Sequence, residues 1–215
     1  MRKDSVQKER EMNKTSSAQS GRSIIEMLGV LAIIGVLTVG GIAGFSAAMS
    51  KHKINQITDQ VQRMVTNIRA LYAGKRTYAG LDNKTAYTMG IFDDGFCDTP
   101  ECENPTNSYK GSILLGLQNG NHHFSITYNG LTRDACTRLA MKEWGDSASG
   151  FLTLIVNGTE QKAPSLAHYT SDGAHIFTAE KREIPVPLAK AVAACDHQTA
   201  TGSVDGTASI SWIYR

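Results

Sequence analysis

The sequence predicts an α+β fold, in which a long N-terminal α-helix with a membrane half and an amphipathic half packs on an antiparallel β-sheet head. Three features predict it: an uncharged apolar run, a regular apolar stripe that follows it, and short apolar runs separated by turn residues later in the chain. The 215 residues, 41% hydrophobic and 20% charged, are enough for one folded domain and an additional apolar segment.

The first element is the uncharged apolar run from Met27 to Ser50. As a helix this run would measure about 36 Å, whereas the hydrocarbon core of a bilayer is about 30 Å thick. The run therefore predicts a membrane span. The alternatives are a buried helix of a soluble protein and a cleaved secretory signal, but the run is too long for either and continues into an amphipathic segment.

The second element is an amphipathic continuation of the same helix. Its apolar residues recur at three- and four-residue spacings: Ile54, Ile57, Val61, Met64, Ile68 and Leu71. We expect one helix from about Ser23 to Ala73, ended by Gly74. Its first half requires lipid or several helices around it, and its second half requires one globular face.

The charge distribution predicts the orientation of the span. Basic residues outnumber acidic ones by 22 to 20, and the excess lies in residues 1–21, which contain five basic and three acidic side chains. A basic flank predicts that the N-terminus stays in the cytoplasm and that everything after Lys51 is exported. The rest of the chain is neutral and offers no broad basic face, so we expect no direct nucleic-acid partner.

The remaining elements form a predicted head. Turn residues separate five strand candidates, at 112–117, 123–128, 151–156, 175–178 and 207–214. Asn129-Gly130 and Asn157-Gly158 predict turns. An antiparallel sheet laid on the amphipathic half-helix accounts for this order of elements.

Two further helices are predicted between the strands. Thr132 is expected to cap a helix that reaches about Trp144. Pro185 or Pro187 is expected to open another helix, which ends near Cys195. Three aromatic side chains are interpreted as core or subunit contacts: Trp144, Trp212 and Tyr214.

One acidic residue stands at the edge of the apolar run. An ionised carboxylate in lipid costs roughly 2.5 kcal/mol or more, so Glu26 requires a partner. Gly21 precedes it after a polar, basic leader, and residues 21–35 read GRSIIEMLGVLAIIG. This stretch resembles the class III signal of type IV prepilins. The 21-residue leader and large C-terminal region are most similar to the type IVb subclass.

The resemblance implies a processing and assembly site. A prepilin peptidase would cut after Gly21, and the new amine of Arg22 would be methylated. Glu26 would become the fifth mature residue and pair with the N-terminal ammonium of a neighbouring subunit during assembly. Arg22 departs from the hydrophobic residue usual at this position, and its spacing of four from Glu26 allows a competing internal ion pair.

The resemblance also implies the domain organisation and the function. Residues 1–21 would be a cleaved cytoplasmic leader, 22–50 the transmembrane half-helix, 51–74 the amphipathic half, and 75–215 the exported α+β head. The chain would be a structural pilin, held in the inner membrane and then polymerised into a surface filament for adhesion, aggregation or conjugation. Its partners would be other copies, membrane lipid, the prepilin peptidase and an assembly machinery with a cytoplasmic ATPase.

Two alternatives to this function remain open. A minor pilin or a type II secretion pseudopilin shares the same anchor. A single-span, membrane-anchored periplasmic enzyme or receptor is the more distant alternative, and it predicts no processing at Gly21.

Glycines interrupt the apolar half-helix. Gly35, Gly40 and Gly44 each weaken a helix by up to about 1 kcal/mol relative to alanine, and the last two are spaced for close helix contact. One interpretation is that this segment packs tightly or unwinds locally when anchors bundle. The other is the ordinary enrichment of glycine in membrane spans.

All four cysteines lie in the predicted exported part, which suits an oxidising periplasm and allows three pairings. The resemblance to type IVb pilins implies a bond between Cys136 and Cys195, which leaves Cys97 and Cys102 to pair locally. Zinc binding is the alternative use of these thiols.

No phosphate loop, nucleophile elbow or zincin motif is found, so we expect no catalytic residue, metal or cofactor. His122, His123, His168 and His175 are interpreted as scattered surface or capped side chains. An acidic group, namely Asp93, Asp94, Asp98, Glu101 and Glu103, does not have the spacing of a calcium loop. It is interpreted as solvated charge or as a contact for Lys51, Lys53, Lys75 or Arg76 of a neighbouring subunit.

Overall fold

The computed structural model describes residues 24–92, 94–97, 102, 104–156, 175–196 and 207–215. This part of the chain contains four α-helices, a 3₁₀ turn at Asp94–Phe96 and five β-strands. The chain divides into two units, Met1–Ala48 and Met49–Arg215.

Helix α1, Ile24–Leu71, is the predicted long helix. Every residue from Ile24 to Met49 is exposed, whereas the later part has a buried stripe: Ile54, Ile57, Thr58, Gln60, Val61, Met64, Val65 and Ile68. The helix ends two residues before the expected Ala73. The backbone turns there, because the amide of Lys75 bonds back to the Tyr72 carbonyl (2.9 Å) and Gly74 has a φ of +81°, which favours glycine.

Five strands form one antiparallel sheet: β1 Ile113–Gln118, β2 His123–Leu131, β3 Phe151–Val156, β4 His175–Thr178 and β5 Ala208–Tyr214. Their order is β1-β2-β5-β3-β4, so the last strand lies in the centre. Ile126 of β2 and Leu154 of β3 both lie opposite Trp212 of β5. The α+β architecture and all five strands are confirmed.

The turn predicted at Asn129-Gly130 is wrong, because both residues lie within β2. The pairing of β2 with β5 shifts register between Tyr128 and Leu131, and Gly130 has a φ of +69°. A Cβ on Gly111 would overlap the carbonyl oxygen of Asn129, so two glycine backbones approach closely here. The signal read as a turn is therefore a bulge. The predicted turn at Asn157-Gly158 lies outside the described residues.

Helix α3, Arg133–Ala140, is capped by Thr132 as predicted, but it ends before the expected Trp144. The Trp144 indole N–H instead donates to the Leu139 carbonyl (2.8 Å), and its ring packs 4.8 Å from that of Trp212. The chain leaves the helix after Ala140, and the Trp144 indole is then buried in the core.

Helix α4, Leu188–Ala194, agrees with the prediction, with Pro187 and Cys195 at its two caps. Helix α2, Asn83–Thr88, was not predicted. The Asp82 carboxylate accepts the Thr85 amide (2.7 Å), and this bond, with that of the Thr85 hydroxyl, holds the pKa of Asp82 below its usual value.

The core of the head lies between the buried stripe of α1 and one face of the sheet. Trp212 is fully buried, and the Tyr128 ring lies edge-on to it at 5.5 Å. Tyr214 stacks 5.7 Å from Phe124. Trp144, Trp212 and Tyr214 are thus core residues.

Candidate assembly site

The apolar half of α1, residues 24–49, buries nothing within its own chain. Ile24 is 78% exposed and Val36 is 75% exposed. Within the described residues, α1 is the one helix long and apolar enough to cross a bilayer. Since burying apolar surface stabilises by about 25 cal/mol per Å², this segment has to be covered by lipid or by other helices.

Glu26 lies in the first turn of α1, near the start of the apolar segment. A carboxylate is favoured at this end of a helix, because the helix dipole places partial positive charge there. The residues predicted to form the processing site, Gly21 and Arg22, lie outside the described part of the chain.

Gly35, Gly40 and Gly44 lie within the uninterrupted α1 helix. A Cβ built on any of the three would find no atom within 4 Å. Gly40 and Gly44 are one turn apart and therefore share a side of the helix. This side has room for the backbone of another helix.

In the head, polar contacts hold α3 alongside α1. The Ser50 hydroxyl donates to the Asp134 carboxylate (3.4 Å), and the Lys142 ammonium donates to the Thr58 hydroxyl (3.0 Å). Asp134 lies in α3 and Lys142 lies two residues beyond its end; because both pairs are separated by 84 residues, this segment runs parallel to α1. These contacts fix the C-terminal part of the head against the helix that enters it.

A second set of contacts holds the turn 107–110 against α1. The Ser108 hydroxyl donates to the Gln56 side-chain oxygen (2.8 Å), and the Lys53 ammonium lies 5.0 Å from the centre of the Tyr109 ring. The Asn107 side chain closes the turn, because its oxygen accepts the Tyr109 amide at 2.8 Å.

Arg69 fastens the end of α1 to the last strand. Its guanidinium donates to the carbonyl of Ser149 (2.8 Å) and to Arg215 O (3.1 Å), and it lies 5.3 Å from the centre of the Tyr214 ring. A Cβ on Gly150, which has a φ of +81°, would meet this guanidinium.

Two disulfides join the four cysteines. Cys136 of α3 is bonded to Cys195 at the end of α4, with their Cα atoms 5.9 Å apart. Cys97 is bonded to Cys102 with a Cα separation of 5.0 Å. Cross-linking across 59 positions removes more freedom from the unfolded chain than cross-linking across five.

The histidines do not form a site in the described chain. The His122 ring shares a hydrogen bond with the Arg76 carbonyl (3.1 Å), and His175 is exposed on β4. Burial, with the charges of His122 and Arg215, lowers the pKa of His123. His168 lies outside the described residues. Within those residues, no group of three His, Cys, Asp or Glu side chains could hold a metal.

Sequence reasoning missed the polar residues that fasten α1 to the head. Thr58 and Gln60 are buried beside Ile57 and Val61, and the Tyr128 hydroxyl donates to Gln60 (3.4 Å). The signal was present, because both positions fall on the apolar stripe. Burial also raises the pKa of Tyr128 far above its usual value, so this hydroxyl stays protonated.

The family described as PilS N-terminal matches residues 51–212, which is most of the chain. The chain belongs to the PilS family. This pilin is 29% identical to the major structural subunit of bundle-forming pilus from Escherichia coli O127:H6, over 73% of its own length and 85% of the relative's. It is 26% identical to the toxin coregulated pilin of Vibrio cholerae, over 60% of each chain. The predicted resemblance to type IVb pilins is confirmed.

The chain is also similar to solved structures, of which one is a type IV pilin. The crystal structure of TcpA, a type IV pilin from the Vibrio cholerae El Tor biotype, shares 17% identity with this pilin. It covers 76% of this chain and 99% of its own, with a TM-score of 0.48.

Proposed function

We propose that this pilin is the structural subunit of a type IVb pilus, processed after Gly21 and polymerised through its N-terminal helix. Before assembly the pilin is anchored in the inner membrane with its head exported. After assembly it forms a cell-surface filament for adhesion, aggregation or conjugation.

The exposed apolar half of α1 carries this proposal. Residues 24–49 require an apolar environment, and a filament in which such helices bundle at the centre supplies it. Lipid already solvates the segment before assembly, so the gain on assembly comes from helix packing and polar pairing. The open sides of Gly40 and Gly44 support close packing between neighbouring helices.

Glu26 supplies the polar pairing. Cleavage after Gly21 creates an ammonium group at Arg22, and a neighbouring subunit can bring this group to Glu26. Two opposite charges 4 Å apart attract by about 4 kcal/mol at an effective dielectric constant of 20. Because the pair forms at one axial offset between subunits, it also sets their register. The prepilin peptidase and a machinery driven by a cytoplasmic ATPase are the partners that this pathway requires.

We assign the head a structural role on the filament surface and no catalytic role. Its relatives are structural pilins, and we assign it no catalytic residue, metal or cofactor. The disulfides Cys136–Cys195 and Cys97–Cys102 strengthen a head that has to survive outside the cell. A minor pilin or a secretion pseudopilin is the second candidate, favoured by the shared anchor. The amount of this chain in sheared filaments distinguishes the two candidates, because a major subunit is abundant there and a minor pilin is not.

Mass spectrometry of the mature N-terminus tests the proposal. We expect a chain that begins at Arg22 and carries an N-methyl group. This processed form should be missing when the prepilin peptidase is inactive. A filament subunit that still begins at Met1 would contradict processing. It would also favour the distant alternative, a single-span enzyme or receptor.

A further inference from the structure

Basic side chains gather at the end of the head where α1 enters it. The apolar segment ends at Met49, and Lys51 and Lys53 stand within the next four positions. Lys51 is exposed, and Lys53 lies along the Tyr109 ring. Long basic side chains can extend from such positions towards the lipid headgroups while their stems stay on apolar surface.

The fold adds Lys110 to this end of the head. The turn 107–110 is held to α1 by the bond from Ser108 to Gln56, about one helical turn beyond Lys53. Lys110 is exposed at the end of this turn, where its amide bonds back to the Asn107 carbonyl at 2.8 Å. It therefore lies within a few helical turns of Lys51, although 59 positions separate them in the sequence.

Helix α3 adds two arginines. The bond from Ser50 to Asp134 places the start of α3 beside the first head residues of α1. Arg133 precedes Asp134 and is exposed, with Asp196 at 3.1 Å. Arg138 pairs with Asp134 at 2.8 Å. In the part of the chain that the structure describes, Asp196 and Asp134 are thus each paired with one of these arginines.

We call Lys51, Lys53, Lys110, Arg133 and Arg138 the basic collar. With Asp134 and Asp196 its net charge is +3, whereas residues 51–215 as a whole contain 16 basic and 16 acidic side chains. These five basic side chains thus lie at one end of a head whose overall charge is zero. Basic residues are disfavoured on the exported flank of a membrane span. Five of them at this position therefore indicate that they have a specific role.

We propose that the basic collar binds the anionic phospholipid headgroups of the exported leaflet while the pilin is still in the membrane. The proposal rests on the membrane anchoring in the proposed function. Each cation near an anionic surface strengthens the contact by about fivefold in equilibrium constant, and the attraction reaches about 8 Å at physiological salt. The contact holds the head against the bilayer and is lost when the subunit is extracted into the filament.

Lysine acetylation of the full chain in nanodiscs, one copy per disc, tests the collar. Two lipid compositions are compared: phosphatidylcholine alone, and phosphatidylcholine with about one third phosphatidylglycerol. We expect acetylation of Lys110 to fall by about threefold or more with the anionic lipid and to recover at about 0.5 M salt. Lys75 and Lys181, both exposed away from the collar, are the controls and keep their reactivity.

A variant pair tests the same contact without relying on lysine chemistry. In the wild-type chain, phosphatidylglycerol should slow hydrogen exchange of the amides in 107–112. The K110Q/R133Q variant should lose this effect, and the matched K75Q/K181Q variant should retain it.

Three results would overturn the proposal. High Lys110 reactivity in both lipids, with amides 27–49 still protected from exchange, contradicts the collar alone and leaves the membrane anchor intact. Strong protection of Lys110 in both lipids assigns the protection to a contact within the same chain, because each disc holds one copy. Unprotected amides at 27–49 contradict both the collar and the anchoring on which it rests.

Discussion

The two halves of α1 are both rich in apolar residues, yet only one half finds its partners within the chain. From Ile54 to Ile68 the apolar stripe is buried against the sheet, whereas residues 24–49 are exposed throughout. The stability of the head therefore depends on the second half alone. The first half depends on lipid or on other subunits, so substitutions in the two halves should affect different measurements.

The largest expected loss of head stability comes from opening the bond between α3 and α4. The C136A/C195A variant should lower the free energy of unfolding by about 4 kcal/mol, because a long loop is freed in the unfolded state. The matched C97A/C102A variant should cost about 2 kcal/mol. Urea unfolding of the full chain in detergent, followed by tryptophan fluorescence, measures both. Equal losses in the two variants would contradict the dependence on loop length.

A pair of isoleucines compares the two halves of α1 directly. Ile57 is fully buried, and I57A should lower the free energy of unfolding of the head by about 3 kcal/mol through lost burial and a cavity. Ile34 is exposed in the apolar half, and I34A should change it by less than about 0.5 kcal/mol. Urea unfolding, followed by tryptophan fluorescence, measures the free energy of unfolding of both variants. A loss in I34A comparable to that in I57A would mean that the apolar half contributes to the folded head.

The smallest expected effect is a dependence on pH. The pKa of His123 lies below its ordinary value of 6.5, because the ring is partly buried and lies near His122 and Arg215. The unfolded chain therefore binds a proton more readily, and head stability should fall as the pH drops through 6.5 towards the lower folded pKa. H123N should reduce this dependence of head stability on pH, and H175N, at an exposed position, should leave it unchanged. A slope that survives in H123N would assign it to another group.

The sequence predicted the helices and strands well where one physical pattern decides. The stripe from Ile54 to Leu71 has a clear helical periodicity, the run before it is long and uncharged, and α1 follows both. The predictions were wrong where tertiary contacts outweigh local preference. Asn129-Gly130 reads as a turn until Gly111 is known to lie beside it, and α3 ends early because Trp144 joins the core.

The candidate site was only partly predictable for the same reason. Glu26 and the glycines of the anchor are recognisable because lipid makes a carboxylate costly and helix contacts favour small residues. Lys110 and Arg133 are distant from Lys51 in sequence, and the bonds at Gln56 and Ser50 bring their segments to one end of the head. No local pattern indicates such a gathering.

The filament yield of a Glu26→Ala variant tests most directly whether an intersubunit charge pair drives assembly. We expect the variant to be inserted and processed normally but to form filaments at less than about one tenth of the wild-type yield, because the attraction to the neighbour's ammonium is lost. Thr38→Ala, which removes an exposed hydroxyl bonded to the Ile34 carbonyl of the same helix, should assemble normally. Wild-type yield from the Glu26→Ala variant would contradict the account.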